Sequence, residues 1–362
     1  MFERFFKKVL RRRGLSIWLI PAMFMWVISL FYRLGYYLAR AGKTDKVKLS
    51  VPVISVGNIT VGGTGKTPMV AFIAGDLIHR GIGVGIISSG WGRSNRDVCF
   101  VEPGYKVQGM NTEDTGDEVM LLAHKLPDAI FAVHRIKSEA GRRLGECGDV
   151  DVAIIDDGFQ HRRLDRDIDL VTFDAAVPRR MLRWFPLGLL REPLRALSRA
   201  DIIVSTRTNF ARDWGRMKKR LRRLAPQADL YAAQFVTTEL VGRERTQQLK
   251  YLEDKSVYLF AGIGNFKPLR KQVDALCADL DVALELSDHQ EYDAALLQRI
   301  KQEADRHDSD VIITTGKDWV KLPDFAFDRE IYYLDQAIDL DPGEERLIRD
   351  LVERLGLKEQ GS

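Results

Sequence analysis

Cysteine is scarce: the 362 residues contain only Cys99, Cys147 and Cys277. These are far apart, odd in number and form no Cys-x-x-Cys pair. That excludes a disulfide framework or a zinc knuckle and favours a reducing compartment. An excess of charge of one sign is also missing. Fifty-five basic residues against 51 acidic leave +4, too little for a nucleic-acid coat protein, whose affinity comes from neutralising many phosphates. No nucleic-acid partner is expected. Solenoid repeats and low-complexity tracts are absent, which removes fibrous and disordered classes. The 45% hydrophobic and 29% charged residues are an ordinary globular balance, and the length favours two compact units.

Charge disappears locally as well, since no residue from Leu15 to Tyr32 is charged. Six cations precede the stretch (Arg4, Lys7, Lys8, Arg11, Arg12, Arg13), and Arg33, Arg40, Lys43, Lys46 and Lys48 follow it. As a helix it would run roughly 27 Å, close to the ~30 Å of a bilayer's hydrocarbon layer. A signal peptide would be shorter, although Ala39-Arg40-Ala41 resembles a cleavage site. A spanning anchor would export the rest of the chain, which conflicts with the nucleotide chemistry read below. A buried core helix is the bland alternative. Basic flanks on both sides favour a monotopic helix over residues 1–45, seated on inner-membrane lipid from the cytoplasmic face.

After Lys48 short β-branched runs alternate with helical patterns. Val51–Val56, Val84–Ser88, Ile130–Val133, Val152–Ile155, Ile168–Phe173 and Ile202–Ser205 read as strands; Pro68–Arg80, Asp117–His124 and Ile136–Leu144 read as helices. This alternation predicts a parallel sheet covered by helices on both faces. Arg212–Arg223 reads as a solvated helix face. A polar stretch near Thr237–Leu252 reads as a linker or ribbon. A second α/β series follows from Val257.

The densest information lies in Val53–Pro68. A β-branched run enters Val61-Gly62-Gly63-Thr64-Gly65-Lys66-Thr67, and Pro68 opens a helical pattern. Successive glycines let backbone N–H groups close on phosphate oxygens, while the helix points its positive end at them. Lys66 would reach the β/γ oxygens and the Thr67 hydroxyl would take one place on Mg²⁺. The fit to the P-loop pattern is imperfect, because Thr60 stands where the first glycine belongs. An acid at the end of a neighbouring strand completes such a site. Asp151-Val152-Ala153-Ile154-Ile155-Asp156-Asp157 supplies it, with either Asp156 or Asp157 nearer the metal. The expected organisation is a P-loop kinase domain at 46–240, a linker at 241–256 and a smaller α/β domain at 257–362.

Gly57-Asn58, Gly116-Asp117-Glu118, Asp156-Asp157-Gly158-Phe159-Gln160-His161, Gly188–Pro193, Asp288-His289 with Tyr292, and Thr315-Gly316-Lys317-Asp318 together resemble the tetraacyldisaccharide 4′-kinase family. The resemblance runs from the N-terminal helix to about Leu322. It implies ATP- and Mg²⁺-dependent phosphorylation of the 4′-hydroxyl of an anionic glycolipid, a tetraacyl glucosamine disaccharide 1-phosphate. It also implies that Asp117, paired with His289, takes the hydroxyl proton and that Asn58, Arg93, Arg135, Gln160 and His161 contact substrate; Glu192 could orient Mg²⁺ or sugar hydroxyls, or simply pair with Arg191. Two positions depart from the family pattern. Ser89 replaces an arginine and Gly316 an acid, so neither role carries over.

Read without the family, Asp117 is also a plausible helix N-cap. Arg179, Arg180, Arg183, Arg191 and Arg195 surround Trp184-Phe185-Pro186, which suits phosphate and headgroup contact. The rival class is a membrane-associated P-loop GTPase switch reading guanine with Thr315-Gly316-Lys317-Asp318. Lysine and aspartate are adjacent there, so an extended segment would point them to opposite faces.

Overall fold

A computed structural model of the chain describes residues 19–42, 44–90, 93, 97, 99–101, 112–264, 266–288, 290–323, 325–340 and 343–358. Its elements begin α1 (Leu19–Ala41), β1 (Val53–Asn58), α2 (Lys66–His79), β2 (Val84–Ser88), β3 (Cys99–Val101), α3 (Asp117–Lys125) and β4 (Ile130–Val133). Then come α4 (Lys137–Leu144), β5 (Val152–Asp156), β6 (Ile168–Asp174), β7 (Ile202–Thr206), α5 (Trp214–Leu224) and β8 (Asp229–Ala232). Next are β9 (Gln234–Gly242), β10 (Thr246–Gln248), β11 (Ser256–Ala261), α6 (Phe266–Asp274) and β12 (Asp279–Glu285). The chain ends with α7 (Ala294–Arg306), β13 (Val311–Thr315), β14 (Glu330–Asp339) and α8 (Glu344–Leu355).

Two compact units emerge. One holds the described residues up to Ser88, Ile136–Gln234 and the segment from Asp339; the other holds Ser89–Arg135 and Phe235–Ile338. The expected continuous domain at 46–240 is therefore interrupted, because 89–135 belongs with the second unit and α8 returns to the first. Residues 241–256, expected as a linker, carry the end of β9, all of β10 and a 3-10 turn at Leu249–Leu252. Local periodicity identifies an element, whereas the sheet it joins is decided by pairing far away in sequence.

Six strands of the first unit lie in the order β2-β5-β1-β6-β7-β8, all parallel. β1, β2, β5, β6 and β7 are buried along their whole length, which is why they read as unbroken apolar runs. The β1–β5 register sets Val56 beside Asp156. The acidic strand end therefore lies next to the strand that feeds the glycine-rich loop.

In the second unit the order is β10-β9-β14-β13-β11-β12, with β3 and β4 forming an antiparallel pair. Side chains of β11 alternate between two cores. Val257, Leu259 and Ala261 meet Phe266, Leu269 and Val273 of α6, while Tyr258 and Phe260 meet Leu297, Ile300 and Ala304 of α7. This sheet is thus covered on both faces.

Helix α1 turns its hydrogen-bonding groups inward. Ser29, Tyr32, Tyr36 and Arg40 recur at helical spacing and bond to Trp184 O, Arg191 O and, for the last two, Glu192 Oε2. Trp184 packs edge-on against Tyr32, Tyr36 and Tyr37. The outer face is apolar: Met23, Phe24 and Leu38 are each 65% exposed and Phe31 67%. Among the described residues no helix is long and apolar enough to cross a membrane.

Candidate active site

The loop between β1 and α2 is shaped by two left-handed glycines, Gly62 (φ 101°) and Gly65 (φ 89°), a conformation costly to any residue with a Cβ. Side chains from three strands brace it. Asn58 Nδ2 donates to Thr64 Oγ1 at 2.8 Å, and Thr64 Oγ1 lies 2.8 Å from Thr172 Oγ1. Thr206 Oγ1 donates to Thr64 O at 2.9 Å, and Arg207 donates to Gly63 O at 2.7 Å. Val61 N donates to Leu189 O at 2.7 Å. The loop is preorganised, with Gly62 and Gly63 exposed at its crest. Lys66 and Thr67 open α2 below it.

Four residues of Asp156–His161 have a clear structural place. Asp156 ends β5 and is 3% exposed. Asp157 turns left-handed at φ 50°, and Phe159 is buried so close to β1 that a Cβ on Gly57 would lie 2.5 Å from Phe159 Cβ. Gln160 Nε2 donates to Asn58 O at 2.7 Å and Glu192 Oε1 at 3.2 Å.

Three cations converge on the Asp156-Asp157 turn. Lys66 Nζ is 3.4 Å from Asp157 Oδ1, and Arg191 donates to Asp157 Oδ2 at 3.0 Å. Lys137 Nζ donates to the carbonyls of Asp156 at 2.5 Å and Asp157 at 2.8 Å. Burial works to raise the Asp157 carboxyl, but Lys66, Arg191 and Lys137 outweigh it and hold it below its ordinary range. Burial depresses the Lys137 ammonium, opposed by Asp156 and Asp157. His161 is pushed down to about 4, first by burial and then by Lys137, Arg166 and Arg163, so its ring is neutral at pH 7.

Lys137 and Arg207 were not singled out from sequence. Lys137 carried a signal: it is a cation in the first turn of α4, where the helix dipole disfavours positive charge. Arg207 carried none, because its partners are Gly63 and Asp174.

Two expected site residues have other partners. Asn58 is fully buried and braces the loop from beneath, so the expected substrate contact gives way to a structural one. Glu192 is also fully buried, and its carboxylate accepts from Tyr36, Arg40, Arg199 and Gln160. Those four donors fix α1 to the sheet unit and use the lone pairs that a metal or sugar would need.

In the second unit Asp117 opens α3 after Gly116 and pairs with Lys321 Nζ at 2.9 Å. Glu118 pairs with Lys317 at 3.0 Å. Arg93 donates to Val133 O at 2.7 Å and to Asp97 O, and Arg135 is exposed. His289 lies outside the described residues. Asp318 is fully buried and accepts from Tyr292 OH at 2.8 Å, Thr315 Oγ1 at 2.6 Å and Gly262 N at 3.1 Å. A base-reading role is excluded for it, and the guanine-switch alternative loses its motif.

A braced phosphate loop, a lysine beside an ionised aspartate at the adjacent strand end and a parallel α/β sheet define a P-loop phosphotransferase. The family model for LpxK, tetraacyldisaccharide-1-P 4′-kinase, matches residues 15–355. The chain belongs to this kinase family. It is 37% identical over 305 residues to a tetraacyldisaccharide 4′-kinase of Geobacter metallireducens, covering 82% of this chain and 87% of that one. With the same enzyme of Syntrophus aciditrophicus it shares 36% over 320 residues, covering 83% and 84%. The crystal structure of Aquifex aeolicus LpxK in complex with ATP superposes with a TM-score of 0.70 at 26% identity, covering 93% of this chain and 98% of that one.

Proposed function

We propose that the chain moves the γ-phosphoryl group of ATP to the 4′-hydroxyl of a tetraacyl glucosamine disaccharide 1-phosphate, at the cytoplasmic face of the inner membrane. The observation that carries this reading is the braced loop, with Lys66 held at the ionised Asp157. Lys66 meets the β/γ-phosphate oxygens, and the backbone N–H groups of residues 62–67 enclose the rest of the triphosphate; the Val61 N–H, also expected there, is taken by Leu189 O. Asp117 accepts the hydroxyl proton, which leaves late in a loose transition state. His289 orients Asp117 on the family resemblance alone.

The donor set suits a magnesium ion. Among the described residues no group of three or more His, Cys, Asp or Glu could hold a metal. Magnesium is ordinarily held by one or two carboxylates together with waters and phosphate oxygens. Thr67 and the Asp156-Asp157 pair would hold it, and the bound ion would neutralise charge on the phosphates.

The outer face of α1 supports seating in one leaflet, since exposed aromatic and aliphatic side chains favour the headgroup boundary. An apolar cleft of about 460 Å³, lined by Trp26, Leu30, Leu182, Trp184 and Leu194 with Arg183 at its rim, gives an acylated substrate a surface beside that helix.

The test is transfer of labelled γ-phosphate to the detergent-solubilised lipid disaccharide, with ATP and GTP in parallel. ATP supports transfer, GTP does not, and Asp117→Asn lowers the rate roughly a hundredfold or more. Absence of transfer from ATP by the folded wild-type chain rejects the reading.

A further inference from the structure

One strongly basic surface of the first unit has no role in the chemistry above. A groove of about 1100 Å³ lies between the segment Ala175–Arg180 and one side of α5. Seven arginines or lysines line it against a single carboxylate, Asp213. The 3-10 turn at Arg179–Met181 supplies Arg179 and Arg180, and α5 supplies Arg216, Lys219, Arg220 and Arg223. Among the described residues, Arg216 alone of these cations has a carboxylate partner, Asp213 at 3.0 Å. The opposite side of α5 is core, with Met217 and Leu221 packed on Val171, Phe173 and Ile203. The α5 cations are therefore held on one face of a docked helix, and a single carboxylate leaves most of the groove's positive charge unneutralised. Sequence alone read α5 as a solvated face; the structure faces it with a second set of arginines and makes a concave site.

We infer that this groove is a second membrane contact, which takes the phosphate groups of anionic phospholipids. Two observations favour a lipid surface over a free polyanion. Phe210, 68% exposed, lines the groove among the cations, and an aromatic ring beside positive charge suits the headgroup zone. The arginines of the 3-10 turn also lead directly into the Leu182–Phe185 segment, whose Trp184 packs on α1. The groove's arginines and the segment that carries α1 are thus consecutive in the chain, within one unit. Together they form a two-point attachment: α1 supplies apolar insertion and the groove supplies charge.

The inference rests on α1 being membrane-seated, and the experiment separates the two. Full-length protein is floated with neutral phosphatidylcholine vesicles and with vesicles containing about 30% phosphatidylglycerol, at about 0.1 M and about 0.5 M salt. The variant R216E/K219E/R220E/R223E is compared with the charge-keeping R216K/K219R/R220K/R223K and with F24S/F31S/L38S.

Wild type binds anionic vesicles more tightly than neutral ones, and high salt removes that preference. The charge-reversed variant loses roughly tenfold or more in anionic-vesicle affinity, keeps neutral-vesicle binding and keeps phosphotransfer in detergent. The charge-keeping variant behaves as wild type. Loss of neutral-vesicle binding in F24S/F31S/L38S supports α1 separately. Equal wild-type binding to both vesicles, or unchanged anionic binding after charge reversal, overturns the inference. So does tighter binding of a single-stranded oligonucleotide than of anionic vesicles at the same salt. If the charge-reversed chain fails to fold, the wild-type salt response decides alone.

Discussion

Two neighbouring carboxylates of the first unit are treated in opposite ways. Glu192 is sealed, with a side chain at 0% exposure and arginines at 3.0 Å and 2.9 Å, besides a tyrosine and a glutamine. Asp157 is also surrounded by cations, yet its side chain is 35% exposed, with Lys66 at 3.4 Å and Arg191 at 3.0 Å. Burying a charge is costly unless hydrogen bonds complete its shell. Glu192 meets that condition internally and becomes a clamp for α1. Asp157 meets it only in part, remaining ionised and open to a further partner. The adjacent Arg191 and Glu192 serve the two regions separately, one at each carboxylate.

The largest expected effect falls on the open region. Lys66→Ala removes the cation at the loop and lowers turnover roughly a thousandfold or more, while thermal stability stays close to wild type. Turnover and melting temperature, measured on the same preparation, check this. Near-normal turnover would erase the distinction, since Asp157 would then be as structural as Glu192.

The sealed region answers in stability. Glu192→Ala leaves Arg40 and Arg199 facing an uncompensated cavity and costs about 3 kcal/mol in urea unfolding. Turnover per folded molecule in detergent changes far less than for Lys66→Ala. A loss of turnover matching that variant, with stability unchanged, would return Glu192 to the chemistry that the sequence had suggested for it.

What could be read from sequence follows the same division. The phosphate loop was legible because its glycines, lysine, threonine and preceding strand are contiguous, and the strand ending in Asp156-Asp157 was legible for the same reason. The clamp was not. Glu192 meets Tyr36 and Arg40 across more than 150 positions, and no local pattern encodes such a meeting. Asn58 was expected at the substrate on the family resemblance, whereas its side chain braces the loop through Thr64. The domain boundaries failed similarly: 89–135 looks like any other strand–helix segment until its partners are known.

Lys137 sharpens the comparison at intermediate magnitude. It is a buried cation, unlike the partly exposed arginines at Glu192, and it serves the open carboxylate by holding the two carbonyls of its turn. Asp157 adopts φ 50°, which costs a non-glycine residue about 1 kcal/mol or more, and Lys137 offsets that cost. Lys137→Met removes both hydrogen bonds and leaves the volume filled. Turnover falls about tenfold or more through misplacement of Asp157, with KM for ATP rising. Steady-state kinetics with ATP varied would show the split. Unchanged kinetics with lowered stability alone would make Lys137 another clamp.

The smallest effect concerns His161, which follows Gln160, the side chain that touches both regions. Its Nε2 is buried with no hydrogen-bond partner among the described residues, and burial first, then three nearby cations, oppose a proton there. The imidazole titrates at about 4 in the fold, against an ordinary 6.5. Between those values the unfolded chain binds a proton that the folded chain refuses, so this contribution to stability is complete above 6.5 and is lost as pH falls toward 4. His161→Gln removes the titration. The melting temperature of wild type therefore falls more steeply than that of the variant across this window, while the two run parallel above pH 7. If the curves are parallel throughout, burial together with Lys137, Arg166 and Arg163 does not keep the proton off His161, and the field of Lys137 belongs to the aspartate turn alone.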